Sequence, residues 1–382
     1  MLDNFIPLSV PNLKGNELEY VTNAIKEEWV STGGKYISDF ESKISAYVKS
    51  RGAVACQSGT SGIHLSLIAM GVGEGDEVFV PTLTFIAAVN PVKYVGADPI
   101  FMDCDDSLCM DMEKLDKFCE EECYFDGNKL INKITGKHIK AIILVHVFGN
   151  MANMEAALEI KKKYNLAIIE DATEALGSYI ESGALTGKFA GTIGDVGIFS
   201  FNGNKIITTG GGGMIVSNDL DILNKIKYLS TQAKDDSLYY IHNEIGYNYR
   251  MTNLQAAIGL AQLERLDDFI KIKHDNYDRY ESQDIHLLAF SKNVNSNKWF
   301  YSYITDYRDR LIKHLNNKGV QTRPVWNLNH LQKPYINFQN YKIEKALYFR
   351  DKVINLPCST NLSFNDIDYI AGLIKDFVNV EI

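Results

Sequence analysis

The sequence predicts an α/β fold, with a large domain built on a mainly parallel sheet and a smaller α/β domain at the C-terminal end. Three observations predict it. Short runs that are apolar on both faces recur at 53–56, 77–80, 100–103, 139–147 and 167–170, with helical patterns between them. Strands joined by helical crossovers pair in parallel and have both faces covered. Polar or glycine-rich segments follow several of these strands directly, which is where open α/β sheets bind ligands. Beyond about residue 265 the chain turns richer in Asn, Lys and Tyr, so residues 1–250 are assigned to the large domain and 251–382 to the small one.

The totals bound the class. With 382 residues, 46% of them hydrophobic and 23% charged, the chain can bury a core in each of two domains. A formal net charge of −9, with no run of Lys/Arg to offset it, argues against a dedicated nucleic-acid binder. No apolar stretch approaches the roughly 18–20 residues of a membrane helix. The opening MLDNFIPLSVP has an early Asp3 and neither a basic n-region nor a long apolar core. No signal peptide is therefore expected, and the protein is expected in the cytoplasm. Cys56, Cys104, Cys109, Cys119, Cys123 and Cys358 are too sparse for a disulfide framework, and none of their spacings is that of a zinc knuckle, so no metal site is expected.

Taken in order, the chain opens with helical periodicity. Leu18, Val21, Ile25 and Trp29 share one face, and Phe40, Ile44 and Val48 share another; both are read as core stripes. Ser31-Thr32-Gly33-Gly34 forms the turn between them. After the strand at 53–56, the loop QSGTSG opens an apolar helix over 63–70. Such a loop offers free N–H groups and the positive end of a helix dipole, which suits a phosphate. It is neither a Walker A motif nor a dinucleotide fingerprint, and an ordinary N-capped helix explains it as well. The segment 82–94 reads mainly as helix, and 114–137, acidic and then basic, as irregular surface elaboration. A helix over 154–164 precedes the strand at 167–170, and Asp171 follows that strand directly. A carboxylate there can pair with a protonated pyridine nitrogen or cap a helix starting at Ala172, and both readings stay open. A helix over 220–229 and a polar stretch precede a long amphipathic helix carrying Met251, Leu254, Ala257, Ile258, Ala261 and Leu263. A strand at 299–305, a helix over 308–318, a loop or edge strand around Pro324 and a closing helix over 365–378 complete the pattern.

The sharpest chemical signal is DVGIFSFNGNKIITTGGGGMIVS, residues 195–217. A strand over 196–201 contains Ser200, turns at Asn202-Gly203 and presents Lys205. Four glycines, Gly210 to Gly213, then lead into a second strand. A lysine among groups that bury well and solvate poorly loses basicity, which makes a nucleophilic amine available. Schiff-base chemistry needs such an amine, most often with pyridoxal phosphate (PLP). A hairpin with a loose glycine-rich turn and a solvated lysine fits this stretch as well.

Together and in order, SGTSGIHLSL, PTLTFIA, IEDATEALGS, SFNGNKIITTGGGG and GYNYRMTNLQAAIG resemble the DegT/DnrJ/StrS-type nucleotide-sugar aminotransferases. These are PLP enzymes of fold type I (aspartate aminotransferase-like), and the resemblance spans nearly the whole chain. It implies that Lys205 is the Schiff-base lysine, that Asp171 holds the pyridinium N–H and that Phe85 stacks on the ring. Gly59, Thr60 and Ser200 match groups that bind the cofactor phosphate. Asn248 matches a residue that reaches the phosphate of a neighbouring subunit, which implies a homodimer with shared active sites. Glu174 stands where many relatives have Gln beside the cofactor hydroxyl. Ser31, Thr32 and Gly33 resemble the segment lining the nucleotide-sugar site, and His330 a small-domain residue near it. An ordinary partly buried His330 and a core Trp326 explain those two positions as well.

Lysine at 205, where some relatives carry His, implies transamination rather than sugar dehydration. The segments FIPLSVPNLKGNE, EWVSTGGKY and EDATEALGS look most like the LegC branch, linked to bacterial legionaminic acid and bacillosamine pathways. The function so implied is amination at C4 of a UDP-2-acetamido-4-keto-6-deoxyhexose, with L-glutamate as donor. A dTDP- or GDP-linked 3-keto-6-deoxy sugar is the alternative, because fold and cofactor motifs do not set the substrate. A non-catalytic binding or regulatory protein on the same fold is the remote alternative.

Overall fold

The spine of the protein is a ten-stranded sheet, seen in a computed structural model that describes residues 5–381. The part of the N-terminal reading that rests on residues 1–4 lies outside the described residues. Across the middle of the sheet run Gly52–Cys56, Gly213–Ser217, Val196–Ser200, Ala167–Asp171, His138–Val145, Asp76–Pro81 and Asp98–Met102, in that spatial order. From Val196–Ser200 onwards the neighbours pair in parallel; Gly213–Ser217 runs against both strands beside it. The central strands are buried almost throughout, Ile142, Ile143, Ile168, Ile169 and Ile198 completely, as the doubly apolar runs require. Among the described residues no helix is long and apolar enough to cross a membrane. All six cysteines are buried and unbonded.

Three expectations are corrected. Residues 114–137 are not irregular: they belong to the helix Met112–Glu122 and an antiparallel pair, Cys123–Phe125 with Leu130–Asn132, that joins the sheet through His138–Val145. Leu115, Phe118 and Cys119 form a buried helical stripe, with Phe118 edge-on to Phe79, which the surrounding acidic residues conceal. Segment 82–94 holds only the 3-10 turn Ile86–Ala88 and the short helix Asn90–Tyr94, because Pro91 has no N–H with which to continue an upstream helix. That leaves 82–85 as a loop at a strand end. In the helix Glu17–Lys26, the residues that face inward are Glu17 and Ala24, whereas Leu18, Ile25 and the following Trp29 are 81%, 56% and 59% exposed. Gln262 makes the inward face polar by donating to Glu17 at 2.6 Å. The stripe read as core is an uncovered apolar face. Phe40, Ile44 and Val48 of Lys35–Val48 are buried, as periodicity predicts.

After Asn253–Leu263 a second long helix, Leu266–Ser282, which the pattern did not announce, leads to a three-stranded antiparallel sheet. There Val353–Leu356 lies between Tyr301–Ile304 and the edge pair Arg323–Pro324. Arg308–Asn317 packs on it, and Phe364–Glu381 packs against that helix and Leu266–Ser282. Arg323, Trp326 and Trp299 from this part of the chain reach the C-terminal ends of the parallel strands.

Candidate active site

A cavity of about 890 Å³ opens at those strand ends, within the size range of small-molecule sites. Its floor is made by the helix Gly59–Ala69. Ser58 caps that helix: its Oγ accepts the Ser61 N–H at 3.1 Å, and Ser61 Oγ accepts the Ser58 N–H at 3.0 Å. Gly59 and Thr60 take the first two helical positions, whose N–H groups have no partner inside a helix. A Cβ on Gly59 would come within 2.9 Å of Thr173 Cγ2 and 3.2 Å of Ser200 Cβ. The missing side chain thus lets Ser200 and Thr173 close on the first helical turn. The result is an anion cradle of backbone N–H groups and hydroxyls.

Asp171 ends its strand inside the cavity and is 4% exposed. Its Oδ1 accepts the Thr173 N–H at 3.1 Å, but 172–178 are turns, so the helix-cap reading of Asp171 fails. Burial pushes its carboxyl up from the ordinary value, against the opposing pull of Thr173 and of the Lys205 ammonium. On the opposite face of the strand, Glu170 accepts His146 Nε2–H at 2.8 Å and backbone N–H groups of Gly191 and Ile193 at 2.9 and 2.6 Å. The Ala152 N–H donates to His146 Nδ1, which leaves Nε2 to carry the proton. This buried, saturated cluster fixes the strand end from which Asp171 projects.

Both readings of residues 195–217 hold in part. Ser200 lies opposite Gly213 across an antiparallel pair, so the topology is a hairpin. Yet the Lys205 side chain is only 13% exposed, with Nζ 3.5 Å from Glu174 Oε1 and 4.2 Å from the centroid of the Trp299 ring. Glu174 is buried, and its Oε2 accepts the Phe148 N–H at 2.8 Å. Burial pushes Glu174 up to about 7, with Lys205 and the Phe148 N–H working the other way. Phe85, 56% exposed, ends the 82–85 loop and lines the same cavity.

Lys205, Asp171, Glu174, Gly59, Thr60, Ser200 and Phe85 are thus gathered in one place. The remaining expected site residues are not. Asn248 is exposed and bridged to Thr231. Ser31, Thr32 and Gly33 form an exposed turn whose Ser31 carbonyl accepts the Asn253 N–H at 2.6 Å. His330 shares a 2.6 Å hydrogen bond between its Nδ1 and Thr82 Oγ1, and burial lowers its basicity. None of these lines the cavity within a single chain.

Other lining residues went unread. Thr173 and Asn204 stand next to residues already singled out, so their neighbours were the available signal. Trp299, Phe300, Arg323 and Asn327 had none. Trp326, read as a core aromatic, lines the cavity with its ring centroid 4.8 Å from that of Phe148.

Residues 11–375 match the model of the DegT/DnrJ/EryC1/StrS aminotransferase family. The chain is 40% identical to a GDP-perosamine synthase of Escherichia coli O157:H7, over 98% of both chains. It is 37% identical to a GDP-perosamine synthase of Caulobacter vibrioides, over 96% of both. Its fold matches the PMP (pyridoxamine phosphate) form of Spr1654 from Streptococcus pneumoniae, assigned as a sugar aminotransferase, with a TM-score of 0.86. That match has 26% identity and covers 97% of this chain and 98% of the other. None of these names carries the legionaminic acid branch that the sequence reading favours.

Proposed function

The chain belongs to the DegT/DnrJ/EryC1/StrS aminotransferase family and is a PLP-dependent sugar aminotransferase; on that premise we propose that it aminates C4 of a GDP-linked 4-keto-6-deoxyhexose, with L-glutamate as donor. The observation that carries the nucleotide is the pair of GDP-perosamine synthases, 40% and 37% identical over nearly the whole chain. A GDP-linked substrate thus replaces the UDP-linked one implied by the LegC-like segments, with amination kept at C4.

The residues present fit PLP. The Gly59 and Thr60 N–H groups with Ser200 would hold its phosphate, Asp171 its ring nitrogen, Phe85 its ring face and Lys205 its aldehyde carbon. When bound, PLP supplies an electron sink for the bonding pair left at the donor Cα. With the cofactor in place, Lys205 would take the donor Cα proton and later return one to the carbon that receives the amine, acting as base and then acid. Asp171 keeps its partner nitrogen protonated, which preserves the positive end towards which charge moves. Glu174, 3.5 Å from Nζ, holds Lys205 while it carries the extra proton. Trp299, Phe300 and Trp326 wall the cavity against water, and Arg323 offers a cation at its edge to the anionic groups of donor and nucleotide sugar.

A homodimer belongs to the same proposal. Leu18, Ile25 and Trp29 make an apolar stripe that no described residue covers, and Asn248 is exposed and does not line its own cavity. A second copy seated on that stripe would bring Asn248 to its partner's cofactor, and Ser31 to Gly33 to the partner's sugar site.

The test is to incubate the PLP-loaded protein with L-glutamate and, in parallel, with the GDP-linked 4-keto-6-deoxyhexose and UDP-2-acetamido-2,6-dideoxy-4-keto-glucose. Products are read by mass spectrometry and NMR. A 4-amino GDP sugar is expected. Turnover of the UDP sugar alone would return the substrate to the legionaminic-type reading, and a 3-amino product would favour the alternative.

A further inference from the structure

The loop that carries Lys205 has no regular structure of its own, so something must fix its lysine. One contact on the loop comes from 95 residues away: the Trp299 indole N–H donates to the carbonyl of Asn204, the residue before Lys205, at 2.8 Å. The same ring faces Lys205 Nζ. Trp299 is 3% exposed and stacks on Phe300 with ring centroids 4.0 Å apart and planes 8° from parallel. Its backbone N–H donates to Asn297 Oδ1 at 3.0 Å. Asn297, wholly buried, uses its amide to reach the Glu174 and Leu176 carbonyls at 3.0 and 2.9 Å. Residues 297–299 therefore grip both the Lys205 loop and the Glu174 turn.

Behind them sits a buried amine that the reaction does not use. Lys273 is 3% exposed; its Nζ donates to the Trp299 carbonyl at 2.7 Å and to the Cys358 carbonyl, with the Tyr301 ring centroid 5.5 Å away. Burial lowers its basicity, and among the described residues no carboxylate pairs with it. An apolar side chain of similar volume would avoid the cost of desolvating that amine. What Lys273 does supply is a pair of donors that tie Trp299 to the Cys358 carbonyl, next to the strand Val353–Leu356.

We propose that Trp299 is the positioning residue for Lys205, holding the loop through its indole N–H and the side chain through its ring face, with Lys273 anchoring Trp299 from behind. Tryptophan suits the position because it combines a cation-binding face with an edge donor. The proposal rests on Lys205 being the cofactor lysine.

The experiment follows PLP capture by the full-length apo-protein in a stopped-flow spectrometer, as growth of the bound cofactor's visible band. Trp299→Phe keeps a ring face and most of the volume but removes the donor. Its capture rate constant should fall about fivefold, the equivalent of one ordinary hydrogen bond. Trp299→Leu, which also removes the face, should fall further, and Lys273→Met should reproduce the Phe variant. Melting temperatures of all variants are measured alongside, since a merely structural role would lower them without changing capture by the folded protein. A Trp299→Phe protein that captures PLP at the wild-type rate would overturn the proposal. A Lys205→Ala protein that still does so would instead overturn the lysine assignment beneath it.

Discussion

Glu174 makes the account quantitatively exposed, because keeping a carboxylate in that position is costly. The group titrates at about 7 in the folded protein against 4.5 for an ordinary glutamate. A raised carboxyl pKa means that the unfolded chain loses its proton first as pH rises. Stability is thus lost between about pH 4.5 and 7, and the deficit persists above that window. At about 1.36 kcal/mol per pH unit, the full deficit is about 3 kcal/mol, most of it falling between pH 5 and 8. Glu174→Gln removes the titration and keeps an oxygen to accept the Phe148 N–H. For a chain of 382 residues, an unfolding entropy of about 0.8 kcal/mol/K converts that difference into about 3 °C. The melting temperature of apo Glu174→Gln, relative to wild type, should therefore rise by about 3 °C between pH 5 and pH 8 when both are scanned in the same buffers. A difference that stays flat with pH, or one that shrinks, would refute the claim that Glu174 is buried beside Lys205 at a cost in stability.

Three further outcomes follow from the geometry. Gly59→Val should weaken PLP binding at least about tenfold in titrations of the apo-protein, since its new atoms must displace Thr173 and Ser200 from the anion cradle. Asp171→Asn should still take up PLP but lose about a hundredfold or more in turnover, because a neutral amide cannot keep the ring nitrogen protonated; turnover within a few-fold of wild type would remove that role. Leu18→Glu combined with Ile25→Glu should shift sedimentation velocity from dimer to monomer, as charges on the uncovered stripe cannot be buried.

What was legible in the sequence was whatever a local pattern can carry. The central strands announced themselves because burial on both faces makes them continuously apolar, and Asp171 and Lys205 could be found because each stands just past such a strand. Residues 112–132 were hidden because the acidic run Glu120–Glu122 and the charged residues around Leu115 and Phe118 outweigh a buried stripe in any reading by composition. The Leu18–Trp29 face shows the converse limit: periodicity reveals that a helix has an apolar side, not what covers it. Trp299, Asn297 and Lys273 were beyond reach, since their meaning lies in contacts to Asn204, Glu174 and Cys358 that no spacing encodes. Asn248, His330 and the Ser31–Gly33 turn came from resemblance alone, and a single chain does not gather them. The nucleotide was least legible of all, because fold and cofactor groups are shared across substrates.

Lys205 as the cofactor lysine underlies both the mechanism and the role given to Trp299, and one measurement addresses it directly. The PLP-loaded protein is reduced with borohydride, digested and mapped by mass spectrometry. A pyridoxyl group on the peptide carrying Lys205, and on no other lysine, is the predicted result. The label on a different lysine, or no label on a protein that still holds the cofactor, would contradict the account.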